Sequence, residues 1–314
     1  MKRCPITYKS LHDEENYSRQ GLRLLSPQLN MLCPLDLSAH EQRQAAIDRV
    51  GKMSIQGVQK KLSATLNIKD GHFNIVDHKG RYILKPPSDI YPELPENEAI
   101  TMTLAAILGL DVPIHGLVYA KDHSMTYFIK RFDRVGHNKK LAVEDFAQLS
   151  GEDRYTKYKS SMEQVIAIIE KFCTFPKIEC VKLFKLTLFN FLVGNEDMHL
   201  KNFSLITKDK KVVLSPAYDL LNSTIAQKNT KEEIALPLGG KKNHLTQRDF
   251  FKYFALERLA LNAKIIDSIV HDFCQIIPQW RALIGLSFLS QAMQDKYLQL
   301  LDERCERLNL LNRR

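Results

Sequence analysis

From residue 63 onward, apolar and polar positions alternate in short bursts. SATLNI (63–68) and HFNIV (72–76), separated by Lys69, Asp70 and Gly71, have the period-two pattern and turn residues of a β-hairpin. RYILK (81–85) reads as a further strand, closed by Pro86 and Pro87, neither of which can donate to a ladder. In ENEAITMTLAAILGL (96–110) the period changes: Ile100, Leu104, Ile107 and Leu108 recur at helical spacing, and Gly109 stands where the helix should stop. HGLVYA (115–120) and SMTYFIK (124–130) predict a second hairpin. This part of the chain is expected to be a small antiparallel sheet with one helix.

Past about residue 135 the pattern is helical. SMEQVIAIIEKF (161–172) and CVKLFKLTLFNFLV (180–193) predict two helices, the second with Phe184, Leu188, Phe191 and Leu192 on one stripe. FSLI (203–206) and KVVLS (211–215) predict one short hairpin turned by Thr207 to Lys210, and a further helical set runs from about 247 to 308, broken at Pro278 and Gly285. The expected class is α+β, with an N-terminal lobe over 1–134 and a helical C-terminal lobe over 135–314.

Composition fits an ordinary globular chain: 314 residues, 44% hydrophobic and 26% charged. No apolar run reaches the roughly 18 to 20 residues of a membrane span, and the basic N-terminus has no apolar stretch behind it, so a cytoplasmic protein without membrane contact is expected. Six cysteines lie scattered without a C-x-x-C pair, which argues for reduced, mostly buried thiols. The formal charge of +9 favours a polyanionic partner without naming one, and the densest basic pieces, Lys139 with Lys140 and Lys241 with Lys242, stand in no nucleic-acid-binding motif.

The chemistry concentrates in GNEDMHLKN (194–202), a polar loop held between the apolar helix and the predicted hairpin. Asp197 and Asn202 reproduce the D-x-x-x-x-N spacing of the kinase catalytic loop, where the Asp accepts the attacking hydroxyl's proton and the Asn binds magnesium. Asp219, 22 residues beyond Asp197, supplies a second carboxylate for an oxygen-rich magnesium site. His199 is either a phosphate contact or a loop histidine bonded to backbone. Upstream, Lys85 ends a strand as a phosphate-neutralising lysine does, and Glu98 is placed in the first turn of the next helix to pair with it. In SIQGVQKKLS (54–63), Gly57 permits a tight turn whose backbone N–H groups, with Lys60 or Lys61, suit phosphate oxygens.

Taken together, S-x-x-G-x-Q-x-K at 54–61, YILKPP at Lys85, ENE around Glu98, IKRFDR at 129–134, EDFAQLSG at 144–151, NEDMHLKNFS at 195–204 and PAYDLL at 216–221 resemble the HipA-like serine/threonine kinases, toxins of bacterial toxin-antitoxin systems. The resemblance implies a bilobal protein-kinase-like fold that uses ATP and Mg2+. It implies Asp197 as catalytic base, Asn202 and Asp219 as metal ligands, and Lys85 as phosphate lysine. It further implies a flexible phosphate loop through Ser54, Gln56, Gly57, Val58, Gln59, Lys60 and Lys61, with Ser54 as an autophosphorylation site, and a hinge where backbone near Lys130 and Phe132 meets adenine. The implied substrate is an aminoacyl-tRNA synthetase. The implied partners are a small antitoxin protein and a helix-turn-helix DNA-binding protein, with no sequence-specific DNA contact by this chain. Longer members have an extra N-terminal subdomain, so the resemblance is to the short form of three-component systems. Asn195 and Glu196 stand where H-R-D kinases have His and Arg, and Asp219 lacks a following Phe-Gly. The rival classes are a metal-dependent phosphoesterase, suggested by Asp197 and His199, and a non-enzymatic nucleic-acid binder, suggested by the charge.

Overall fold

The computed structural model describes residues 2–49, 60–136, 139–151, 158–227 and 232–311. Ser54, Gln56, Gly57, Val58 and Gln59 lie outside them. The chain forms two compact units. One comprises Met1–Ile100, Pro113–Asn138 and Leu286–Leu289, the other Thr101–Val112, Lys139–Gly285 and Ser290–Arg314.

The first unit begins with two helices that the periodicity did not reveal, α1 (Arg19–Leu25) and α2 (Ala39–Arg49). Strands β1 (Leu62–Asn67), β2 (His72–Ile75) and β3 (Tyr82–Lys85) follow, then α3 (Leu94–Ile107), β4 (His115–Tyr119) and β5 (Met125–Lys130). The strands form one antiparallel sheet in the order β2-β1-β3-β5-β4, so both predicted hairpins form and β3 bridges them. Leu62, Ala64, Leu84, Val118 and Phe128 from the sheet join Cys4, Leu22, Leu29 and Leu35 from the N-terminal segment in one core. Helix α3 starts at Leu94, two residues ahead of the expected run, with Pro95 in its first turn. Glu98 therefore sits in the second turn, not the first.

In the second unit, β6 (Arg134–Val135), which belongs with the first by its contacts, is followed by β7 (Lys139–Lys140), β8 (Val143–Asp145), α4 (Phe146–Ser150), α5 (Met162–Phe172) and α6 (Pro176–Val193). Strands β9 (Ser204–Lys208) and β10 (Lys211–Leu214) make the predicted hairpin, with Asp209 and Lys210 both at positive φ, as a two-residue turn of matching twist requires. The ribbon is larger than expected, because β8 pairs with β9 to give three strands. After α7 (Ser223–Ala226) comes a wide π-type helix at Arg248–Arg258, then α8 (Ala263–Ile284) and α9 (Gln291–Arg307).

The expected break at Pro278 does not occur: the proline lies inside α8. Buried Phe273, Ile277, Trp280 and Ile284 continue the apolar stripe on both sides of it, and that packing outweighs the lost backbone bond. The chain breaks instead at Leu259–Asn262, where Ala260 takes a φ of 52° and the Asn262 side chain caps α8 by accepting from the Ile265 N–H at 2.9 Å. Gly285 ends α8 as expected. Helix α6 runs through the core of this unit: Phe189 stacks edge-on against Trp280 at 5.5 Å and Phe191 packs on Phe250 at 4.8 Å. All six cysteines are free thiols.

Candidate active site

In the first unit, β3 ends at Lys85, and its Nζ meets Oε1 of Glu98 at 2.6 Å, with side-chain exposures of 6% and 1%. The ammonium also lies 5.6 Å above the ring of Tyr127, the residue directly opposite Lys85 on β5. A buried ion pair is worth its desolvation only when its geometry is fixed, and here a strand end, a helix and a ring fix it. Lys60 and Lys61 immediately precede β1 and are half-buried. Lys130 closes β5, its N–H bonded to Ile114 O at 2.7 Å, while half-buried Phe132 begins a turn that an Arg131–Asp133–Arg134 ion cluster holds.

In the second unit, α6 delivers the polar loop. Gly194, at φ 74°, donates to Phe191 O at 3.2 Å, and the Asn195 N–H donates to Asn190 O at 2.9 Å, the paired bonds of a Schellman stop. The chain then folds on itself. His199 N–H donates to Asp197 O at 2.8 Å, Asn202 N–H to His199 O at 2.9 Å, and the Asn202 amide nitrogen to Asp197 O at 2.8 Å. The five-residue spacing thus becomes one tight turn. With its NH2 bonded to backbone, the Asn202 amide presents its carbonyl oxygen, the donor that a hard cation takes.

The Asp197 carboxylate is 44% exposed, with buried His199 Nε2 at 3.9 Å. The Tyr158 hydroxyl donates to Asp197 Oδ1, and its ring stands edge-on to His199 at 5.0 Å. Burial, then that bond to a carboxylate, push the Tyr158 phenol well above its ordinary range. Asp219 is reached through its neighbour: the Tyr218 hydroxyl shares a hydrogen bond of 2.5 Å with Ser204 Oγ and donates to Lys201 O at 2.9 Å, residues on either side of Asn202. Asp219 itself has a φ of 55°, a strained conformation for a non-glycine residue and one that gathers at functional sites. Among the described residues no three His, Cys, Asp or Glu side chains cluster as a metal site. The donors on offer are one carboxylate and one carboxamide, which suits magnesium, an ion that keeps most of its shell for water and phosphate.

Two residues escaped sequence reasoning. Tyr158 lies in polar YKSS, where nothing marks it. Arg304 had a readable signal: it falls on the buried stripe of α9 with Tyr297 and Leu301, at three- and four-residue spacing continued by Leu308 just past the helix end, and a cation on such a stripe needs a partner inside.

A family profile described as the HipA-like C-terminal domain matches residues 53–281. The chain belongs to the HipA-like family. It is 31% identical to a protein of Haemophilus influenzae provisionally named a kinase, over 99% of both chains. It is 28% identical to the serine/threonine-protein kinase toxin HipA of Shewanella oneidensis over 54% of this chain, and spans 43% of that longer protein. Among solved structures, the Shewanella oneidensis HipA in complex with HipB and operator DNA superposes with a TM-score of 0.69 at 22% identity, covering 88% of this chain and 73% of that one. The Helicobacter pylori proinflammatory kinase CtkA superposes at 0.56 with 16% identity, covering 79% and 94%. The HipA-like chain thus has an α+β, protein-kinase-like fold. Among its described residues, no helix is long and apolar enough to cross a membrane.

Proposed function

We propose that this chain is an ATP-dependent serine/threonine protein kinase, the toxin of a bacterial toxin-antitoxin system acting in the cytoplasm. The observation that carries the reading is the Asp197–Asn202 turn, where one backbone carbonyl ties the acid to the amide. The buried Lys85–Glu98 pair supports it from the other unit.

In this mechanism Asp197 orients the acceptor hydroxyl and takes its proton as the oxygen attacks the γ-phosphorus of ATP and ADP leaves. Lys85, held by Glu98, neutralises phosphate charge, and the loop from Ser54 to Lys61 covers the phosphates. Asn202 and Asp219 would hold magnesium, which offsets the charge on the phosphate oxygens. His199, whose Nε2 lies 3.9 Å from Asp197 Oδ1, contacts phosphate in this scheme. Backbone near Lys130 and Phe132 receives adenine. Ser54 is the self-modified serine, and a phosphate added there repels bound nucleotide. The substrate is an aminoacyl-tRNA synthetase. A small antitoxin and a helix-turn-helix DNA-binding protein are the partners, as HipB and operator DNA accompany the Shewanella oneidensis relative.

The test is to incubate the purified chain with labelled ATP, magnesium and a set of purified synthetases. Label on a serine or threonine of one synthetase, together with label on Ser54 that Ser54→Ala removes, supports the reading. ATP consumed with no protein labelled contradicts it.

A further inference from the structure

Glu196 is the residue before Asp197, and nothing in the phosphoryl-transfer scheme uses it. Its side chain is nonetheless 8% exposed, and its Oε1 accepts from Thr224 Oγ1 at 2.5 Å and lies 3.7 Å from NH2 of Arg304. Its backbone N–H donates to Ser223 Oγ at 2.7 Å. The loop is therefore fastened to the start of α7 by main chain and side chain at one residue.

Arg304 completes the fastening from α9. Its side chain is 4% exposed, its NH1 donates to Phe191 O, and its guanidinium stacks over the Phe191 ring at 4.9 Å. One side chain thus grips the end of α6 before the Gly194 bend and the acid after it. Its charge also faces the helix C-terminus, where cations are favoured. The bend itself has no slack: a Cβ on Gly194 would lie 2.5 Å from Leu300 Cδ2, 2.6 Å from Asn222 Oδ1 and 2.9 Å from Thr224 Oγ1. Leu300 and Arg304, one turn apart on α9, press on the two sides of the same corner.

Two charges so deeply buried are a poor way to glue helices, because apolar residues of similar volume do it at lower cost. What an ion pair adds is a fixed arrangement. H-R-D kinases carry a cation before the catalytic acid, whereas this loop carries an anion and takes its cation from the last helix.

We propose that Arg304 is a positioning residue: through Glu196 and the Phe191 carbonyl it sets the direction in which the Asp197 carboxylate points. The proposal rests on the reading of Asp197 as the catalytic base. The Asp197 main chain is held on both sides, its N–H donating to Asn195 Oδ1 at 3.3 Å and its carbonyl accepting from the His199 N–H and the Asn202 amide at 2.8 Å each, so the anchored residue before it fixes one end of a closed turn from which the carboxylate projects toward the Tyr158 hydroxyl.

The test compares full-length wild type with Arg304→Met, with the charge-free pair Arg304→Met/Glu196→Gln, and with Arg281→Met. The last removes the half-exposed Arg281–Asp302 pair between α8 and α9, whose Asp302 lies two residues from Arg304 and so on the opposite face of α9. Arg304→Met removes the positive charge that faces Glu196 and Glu233 and is read only if it folds. The double variant removes both charges and decides. It is expected to melt near wild type, yet amides 195–199 exchange about tenfold faster, and kcat falls by about a hundredfold with KM for ATP unchanged. Arg281→Met changes neither readout. A double variant whose loop amides exchange and whose kcat holds as in wild type overturns the proposal. If wild type transfers no phosphoryl group at all, the kinase reading fails, while the exchange rates still decide whether Arg304 fixes the loop.

Discussion

The phenol of Tyr158 donates a hydrogen bond to Oδ1 of Asp197. In the proposed mechanism the general base stands within hydrogen-bond reach of the proton it takes, which would put this hydroxyl in the place of an incoming serine or threonine hydroxyl. Tyr158→Phe removes the competitor and keeps the ring against His199. The expected outcome in steady-state kinetics is a severalfold lower KM for the protein acceptor with KM for ATP unchanged. A lower kcat with both KM values unchanged would instead make Tyr158 a helper of the base.

Lys85 and Glu98 are both nearly inaccessible to water. Removing one partner strands a buried charge, so Lys85→Met or Glu98→Gln alone should cost about 3–5 kcal/mol in thermal or denaturant unfolding. Lys85→Met/Glu98→Gln should regain most of that stability without regaining phosphoryl transfer. A double variant as unstable as the singles would show that the pair's value lies in shape rather than charge.

Gly194 and Gly151 have similar backbones, φ 74° and 70°, in different surroundings. A methyl group at Gly151 meets nothing within 4 Å among the described residues, whereas at Gly194 it meets Leu300 at 2.5 Å. Gly151→Ala should therefore cost about 1 kcal/mol, the backbone penalty alone. Gly194→Ala adds overpacking, for a total of about 3 kcal/mol. Unfolding midpoints of the two variants check the difference.

Much of this site is readable because its chemistry is local. The Asp197–Asn202 turn is one loop whose spacing is also its geometry, and Lys85 and Glu98 flank a single strand-to-helix connection. The hairpins are legible for the same reason: period two and a polar turn lie side by side in sequence. What escaped depends on distant partners. Tyr158 reaches Asp197 across 39 residues, and Arg304 reaches Phe191 across 113. Strand β8 is too short to show a period, and Pro278 reads as a break because the tertiary packing that carries α8 through it leaves no local mark.

Glu96, in the first turn of α3, has an Oε2 that finds no hydrogen-bond partner among the described residues. Burial, reinforced by the nearby Glu93 charge, pushes its carboxyl up to about 7 from an ordinary 4.5. Between those values the folded chain holds a proton that the unfolded chain releases, so stability falls as pH rises through the window. Glu96→Gln should leave unfolding unchanged below pH 4.5 and stabilise the chain by up to about 3 kcal/mol at pH 8. A variant with no pH-dependent gain would mean that the carboxylate ionises freely in the folded state.

The central claim is that Asp197 accepts the proton of a protein hydroxyl, and Asp197→Asn tests it with almost no change in shape. The measurement is the initial rate of phosphoryl transfer from labelled ATP to serine or threonine, for wild type and variant at equal folded concentration. The account predicts transfer by wild type and a loss of about 10²–10⁴-fold in the variant, with nucleotide affinity retained. Equal rates in the two proteins would contradict it.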